Sequence, residues 1–213
     1  MIMRKKFKSI LIIGMGLIGS SISRALIENH VSKNVYGLDS DDKVIKKCQE
    51  LNLLIQGETN LSNFDTQFDL IIICTPLSMY EKIFLDLASY ISEPTLVTDV
   101  GSTKMSTISD YNKIKNNTNI AFIPSHPIAG LEKSGPEYGF SKLFQNRYCI
   151  LTPFQKDDRA IDEISQMWKS IGMTIEIMDA ERHDRILAMT SHIPQLIAFS
   201  VVGTATDLES HMR

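Results

Sequence analysis

The stretch best suited to chemistry is Gly14-Met15-Gly16-Leu17-Ile18-Gly19, which follows an apolar run at 9–13 and passes straight into a helical pattern. In that setting G-x-G-x-x-G is a dinucleotide-binding turn. The first glycine permits the tight strand-to-helix turn, the second lets backbone approach a pyrophosphate, and the third lets the helix pack on the strand. Phosphate charge then lies at the helix N-terminus, where unpaired N–H groups and the helix dipole favour it. Asp39 follows a second strand candidate at 34–38, about twenty residues beyond the last glycine, where a carboxylate meets the ribose hydroxyls. A glycine-rich turn in an unrelated α/β domain, with Asp39 a mere surface acid, leaves the order strand, turn, helix, strand, acid unexplained. Ser40, Asp41 and Asp42 follow Asp39 and no arginine does, so the site suits NAD rather than NADP, whose extra phosphate would meet like charge.

His126 is the second candidate. It sits between Pro124 and Pro127, just past an apolar strand run at 120–123, on stiff backbone poorly suited to simple packing. Imidazole is the side chain whose ordinary pKa suits proton transfer near neutrality. Other positions carry two readings each. Cys74-Thr75-Pro76 ends an apolar run at 69–74, at the edge where open α/β sheets bind ligands, but a rigid turn explains it equally well. Ser102, after the strand run at 95–100, either caps the next helix or faces a substrate. His183, Ser191 and Gln195 are spaced by multiples of four and share one helical face. They form either a site wall or three satisfied core polar groups.

The elements that must hold these residues alternate. Ile18, Ile22, Ala25 and Leu26 recur at helical spacing after the glycine turn, and 41–51 is an amphipathic helix with Val44, Ile45 and Cys48 on one face. A polar loop spans 57–67, and a helix begins near Leu77. Residues 131–147 form a polar loop, 149–152 a strand, 158–171 a helix with Trp168 in its core face, and 174–178 a last strand. From 179 the chain is helical and apolar to about 202, interrupted by Pro194, and too short and too polar at Ser191, His192 and Gln195 for a membrane span. The reading is a Rossmann-type doubly wound α/β domain over 1–178, then the start of an all-helical part over 179–213.

Composition narrows the partners. The 213 residues, 43% hydrophobic and 22% charged, suit an ordinary soluble globular protein rather than a disordered or membrane one, and a net charge of −3 leaves no footprint for nucleic acid. Residues 1–8 are basic, but the apolar run after them is short and leads into glycines, so no leader is read and the expected location is cytoplasmic. Cys48, Cys74 and Cys149 form no C-x-x-C pair. They are read as small buried hydrophobes, with no metal site.

Taken in order, these blocks resemble those of the prephenate and arogenate dehydrogenases of tyrosine biosynthesis over essentially the whole chain. The matching pieces are the glycine turn, Cys74-Thr75-Pro76-Leu77, Thr98-Asp99-Val100-Gly101-Ser102-Thr103-Lys104, and His126-Pro127-Ile128-Ala129-Gly130 with Glu132-Lys133-Ser134-Gly135-Pro136-Glu137. Asn146-Arg147, Leu151-Thr152-Pro153, Met178-Asp179-Ala180-Glu181 with His183-Asp184, and Thr190-Ser191-His192-Ile193-Pro194 continue the match. The resemblance implies NAD-dependent oxidation at the ring carbon bearing the hydroxyl, with loss of the ring carboxylate, to give 4-hydroxyphenylpyruvate or tyrosine. It implies that His126 accepts the hydroxyl proton, that Ser102 hydrogen-bonds the same hydroxyl or the imidazole, and that His183, Ser191 and Gln195 line the substrate pocket. A homodimer through the C-terminal helix is implied as well.

Two departures stand out. Gln195 takes the place of a second histidine common in the family, which leaves prephenate and arogenate both open. Arg213 precedes the family's further C-terminal helices and an arginine-bearing block, so a truncated chain with an incomplete substrate pocket is expected. The competing readings are another oxidoreductase of the 6-phosphogluconate dehydrogenase-like group, against which the His-Pro-x-Ala-Gly and Glu-Lys-Ser-Gly blocks argue, and an inactive nucleotide-binding protein.

Overall fold

Two apolar runs of four residues each build the centre of the molecule: β1 (Ile10–Ile13) and β4 (Leu70–Ile73), buried along their whole length. They pair in parallel, Ile10 opposite Leu70. Successive side chains of a strand point to opposite faces, so each run feeds two cores. Ile10, Ile12, Leu70 and Ile72 pack on one side with Leu26 and Trp168. Leu11, Ile13, Ile71 and Ile73 pack on the other with Phe84, Tyr111 and Phe122. That double burial is why the runs show no polar alternation.

The computed structural model describes residues 7–211, with side chains for all of these except Asn117 and 205–211. The basic stretch at 1–8 lies, up to residue 6, outside the described residues. Around β1 and β4 the main sheet adds β2 (Val35–Leu38), β3 (Gln56–Glu58), β5 (Thr95–Asp99) and β6 (Ile120–Ile123). Its six strands run parallel in the order β3-β2-β1-β4-β5-β6. Helices α1 (Leu17–Glu28), α2 (Asp42–Glu50), α3 (Tyr80–Tyr90) and α4 (Lys104–Asn112) make the crossovers. A smaller mixed sheet follows: β7 (Ser125–Pro127) lies antiparallel to β8 (Tyr148–Leu151), and β8 parallel to β9 (Thr174–Ile177). Helix α5 (Asp158–Ser170) places Trp168 in the first core, against Phe144.

The doubly wound expectation holds, with corrections at the short elements. β3 falls where the polar loop begins and β7 where only a stiff turn is expected. Both are three-residue strands, too short to show a period. The polar loop at 131–147 contains 3-10 turns at Pro136–Tyr138 and Ser141–Phe144, and the second buries Leu143 and Phe144. Pro194 does not interrupt the last helix. Helix α6 (Ala180–Leu187) runs through a π turn (Ala188–His192) into α7 (Ile193–His211). The proline lies inside this continuous helix, and the wider π turn before it takes up the misfit of its ring and missing N–H. The unbroken stretch Ala180–Thr204 is therefore long and apolar enough by length and composition to cross a membrane, contrary to the expectation from the sequence, a property shared with helices that pack against protein.

The glycine turn yields a test of the geometry. A Cβ on Gly19 would lie 2.1 Å from the Gly14 carbonyl oxygen, whereas one on Gly16 would meet nothing within 4 Å. Gly19→Ala is expected to lower unfolding stability by roughly 1–3 kcal/mol, the usual cost of overpacking. Gly16→Ala is expected to cost less than about 1 kcal/mol, the range of an N-cap exchange. Urea titrations of the two variants check this, and equal losses would contradict the packing.

Candidate active site

The strand order reverses direction between β1 and β4, and open α/β sheets bind ligands outside the carboxyl ends at such a point. A cleft of about 1000 Å³ opens there, lined among others by Gly14, Gly16, Asp39, Cys74, Thr75 and Pro76. Gly14 has φ +92°, and a Cβ on it would come within 2.8 Å of the Cys74 backbone, so only glycine lets β1 turn beside β4. Its N–H donates to the Leu38 carbonyl at 2.7 Å. Asp39 holds the same turn from the other side: Oδ2 accepts from the Met15 amide at 2.8 Å and Oδ1 from the Asp41 amide at 3.0 Å. The side chains of Met15 and Leu17 are buried, and Ile18 is half-buried against the core.

Beyond β5, the chain is organised by one carboxylate. Asp99 Oδ2 accepts from Lys104 Nζ at 2.6 Å and from the Gly101 amide at 2.9 Å, and Oδ1 accepts from the Ser125 amide at 3.0 Å. Lys104 Nζ also donates to the Ser125 carbonyl at 2.8 Å. Asp99, Lys104 and Ser125 are all fully buried. The Ser125 hydroxyl donates to the Asp99 carbonyl at 2.6 Å and accepts from Trp168 Nε1 at 3.1 Å. Every polar atom of Ser125 is thus engaged, and His126, the next residue, starts from fixed backbone.

His126 is half-buried, and its Nδ1 lies 2.9 Å from Nε2 of His183. His183, on α6, is fully buried, and its Nδ1 lies 2.7 Å from Asp184 Oδ1. Asp184 in turn accepts from the Lys104 amide at 2.8 Å and the Met105 amide at 2.9 Å, so a carboxylate from α6 caps the first turn of α4. Ser102 is therefore not the cap. It is exposed, and its hydroxyl has no partner among the described residues. His183, Ser191 and Gln195 differ in burial. The π turn between them widens the helix to more than four residues per turn at that point, which favours rather than spoils a spacing of four, but along the face His183 is buried while Ser191 and Gln195 are exposed.

Electrostatics follow from this packing. Burial first, then the Lys104 charge and the neighbouring His183 and His192, push His126 down to about 3, with Asp184 opposing. Burial also lowers His183, again against Asp184. For Asp184 burial pulls upward, but the two α4 amides and His183 outweigh it and hold the carboxyl below its ordinary value. Lys104 is lowered by burial, with Asp99 opposing. Burial raises all three thiols, Cys48 to about 11, so they stay protonated and unreactive. The result is a neutral imidazole, a proton acceptor, fixed by the buried Ser125 backbone before it and by its contact with His183. Asp99, Lys104 and Asp184 escape the reading of single residues. The available signals are an acid ending one strand five residues before a lysine opening a helix, and an acid adjoining a histidine.

Residues 22–177 match the family described as the prephenate dehydrogenase nucleotide-binding domain, a stretch that begins inside α1, just past the glycine turn. The cyclohexadienyl dehydrogenase of Zymomonas mobilis is 36% identical over 208 residues, 97% of this chain and 70% of its own length. The prephenate dehydrogenase of Bacillus subtilis is 33% identical over 91% of this chain, which spans 53% of that protein. The crystal structure of prephenate dehydrogenase from Aquifex aeolicus in complex with hydroxyphenyl propionate and NAD+ superimposes with a TM-score of 0.88 at 31% identity, covering 94% of this chain and 70% of that one. The chain belongs to the prephenate/arogenate dehydrogenase family and carries its nucleotide-binding domain.

Proposed function

We propose that this chain binds NAD in the cleft and oxidises prephenate or arogenate, with His126 accepting the proton of the ring hydroxyl. The observation that carries the reading is the neutral, rigidly held His126, in a chain whose glycine turn opens a cleft at the carboxyl ends of β1 and β4. The fit to a dinucleotide rests on three features. Gly16 leaves open space where any side chain would intrude. The first turn of α1 has neither a side-chain cap nor an acidic residue, so its N–H groups are available to phosphate. Thr75 Oγ1 is buried in the cleft wall with no hydrogen-bond partner. Gly16 and the free N–H groups at the start of α1 would hold the pyrophosphate, Gly14 and Gly19 the turn that presents them, and Asp39 the ribose, with Thr75 offering its hydroxyl.

When bound, NAD supplies the hydride acceptor. His126 takes the hydroxyl proton as carbonyl character develops at the same carbon, a point at which that proton is strongly acidic and even a weak base suffices. The bond to the ring carboxylate breaks, carbon dioxide leaves, and its electron pair completes the aromatic ring. His126 then returns the proton to the ring oxygen. Ser102, exposed and unpartnered, would hydrogen-bond the same hydroxyl and hold its orientation. Ser191 and Gln195 enter the proposal through the resemblance alone. Residues from 179 onward belong to it as the start of a helical part.

Three outcomes are expected. NAD binds more tightly than NADP, because Asp39 would face the additional phosphate; a fluorescence titration favouring NADP would overturn this. His126→Asn lowers kcat by about 10²–10⁴-fold in an NADH absorbance assay with unchanged NAD affinity, the usual weight of a general base. The same histidine sets a pH dependence. Its folded value near 3 lies below the ordinary 6.5, so between those values the unfolded chain binds the proton that the folded chain excludes. That contribution to stability is present above about 6.5 and is lost as pH falls towards 3. The melting temperature should fall with acidification, less steeply in His126→Asn, and a flat profile in the parent chain would contradict the burial.

Assembly completes the proposal. Leu196, Phe199 and Val201 on α7 are each more than 60% exposed, and Met189 on the preceding turn is 74% exposed. A helix apolar all round is normally buried on every side. A second copy of the chain is expected to cover this one, giving a dimer in sedimentation equilibrium. A monomer, or partition onto lipid vesicles instead, would reject the assignment.

A further inference from the structure

We propose that Asp184 and His183 act as a positioning pair that fixes the tautomer of His126, leaving Nε2 of His126 as the bare, proton-accepting nitrogen. The inference rests on the reading of His126 as the base, and it assigns His183 a place behind that base rather than in a pocket wall.

The argument counts protons along a chain of three contacts. Both Asp184 oxygens already accept backbone N–H groups, Oδ1 from Lys104 and Oδ2 from Met105. An ionised carboxylate only accepts, so the 2.7 Å contact with His183 requires the proton on Nδ1 of His183. In neutral His183 the other nitrogen, Nε2, is then a lone pair. It faces Nδ1 of His126 at 2.9 Å, and two lone pairs at that distance repel, so Nδ1 of His126 carries a proton and donates. Nε2 of neutral His126 is left without one. No other assignment of the two neutral rings gives every contact one donor and one acceptor.

The same chain opposes the charge that His126 gains in the reaction. When Nε2 of His126 takes the hydroxyl proton, the Nδ1 proton is already directed at His183, whose opposite nitrogen faces an anion. Asp184 therefore counters the cation through one intervening ring, against the burial and the Lys104 charge that depress His126. Protonation of His183 itself has the reverse effect. Its Nε2–H would then donate to Nδ1 of His126, the His126 proton would move to Nε2, and the acceptor site would close. The charged and titratable groups facing the two rings are Lys104 from α4, Asp184 from α6 and His192 from the π turn. The two rings titrate as a unit.

Long-range proton–nitrogen correlation NMR of the 213-residue chain near neutral pH reads the tautomer directly, with His126→Asn identifying the His126 signals among the five histidines. Nδ1 protonated and Nε2 bare is the expected pattern, and a predominantly Nε2-protonated His126 overturns the proposal. In His183→Gln the side-chain oxygen can still accept from Nδ1–H, so the tautomer is kept and kcat stays within about 10-fold of the parent. In His183→Leu the tautomers mix and kcat falls by about 10²-fold or more with KM and NAD affinity unchanged. Equal losses in the Gln and Leu variants, or a Gln variant with scrambled tautomers, reject the pair's role, and the Gln variant decides should the Leu variant not fold. The NMR reading needs no turnover. The expected tautomer in a parent chain that oxidises neither prephenate nor arogenate would sink the catalytic reading and still support the positioning pair.

Discussion

The buried contact between Asp99 and Lys104 is the constraint on which the site depends. Neither side chain reaches solvent, and a charge in that position persists only with a partner and full hydrogen bonding. Asp99 meets this demand by accepting from Lys104, Gly101 and Ser125, and Lys104 by donating to Asp99 and the Ser125 carbonyl. The end of β5, the start of α4 and the first residue of β7 are thereby joined at one point. Removing either partner alone strands a buried charge, a loss of about 3–5 kcal/mol, whereas apolar replacement of both can be nearly neutral. The value of the pair to the molecule is placement: it fixes the backbone from which His126 projects.

The same device recurs. Asp39 accepts the Met15 and Asp41 amides, Asp99 the Gly101 and Ser125 amides, and Asp184 the Lys104 and Met105 amides. Each carboxylate holds backbone N–H groups that regular hydrogen bonding leaves free, in turns after β1, β2, β5 and β6 and in the first turn of α4. Backbone there must find other acceptors or remain unpaired, and an ionised carboxylate is the strongest short acceptor available. Loops that would otherwise vary are pinned to the strands and helices that carry them, which is the condition for positioning a base to a fraction of an ångström.

Legibility in the sequence follows the length and repetition of each signal. The runs forming β1, β4 and β5 are continuous because they are buried on both faces, and the glycine turn is legible because backbone geometry admits few alternatives at Gly14 and Gly19. His126 stands out for its proline neighbours. β3 and β7 do not, since three residues cannot show alternation. Lys104 has no reading of its own in the sequence, where it stands only as the last residue of the Thr98–Lys104 block, because its partner Asp99 meets it only in the folded interior. Spacing puts His183, Ser191 and Gln195 on one face but says nothing of depth, and His183 is buried where Ser191 and Gln195 are exposed. Asp184 is found only through what it touches, eighty residues away in sequence.

The continuity of α6 into α7 has a mechanical consequence. From Ala180 to Thr204 the chain forms one rod, roughly 37 Å long at the usual helical rise. Its near end is anchored where His183 and Asp184 meet His126 and α4, through contacts of 2.7–2.9 Å that lapse with a shift of well under an ångström. Among the described residues the α7 end is exposed from Gln195 to Thr204, so any surface that packs there rests on the same continuous helix that carries His183 and Asp184 to the imidazole.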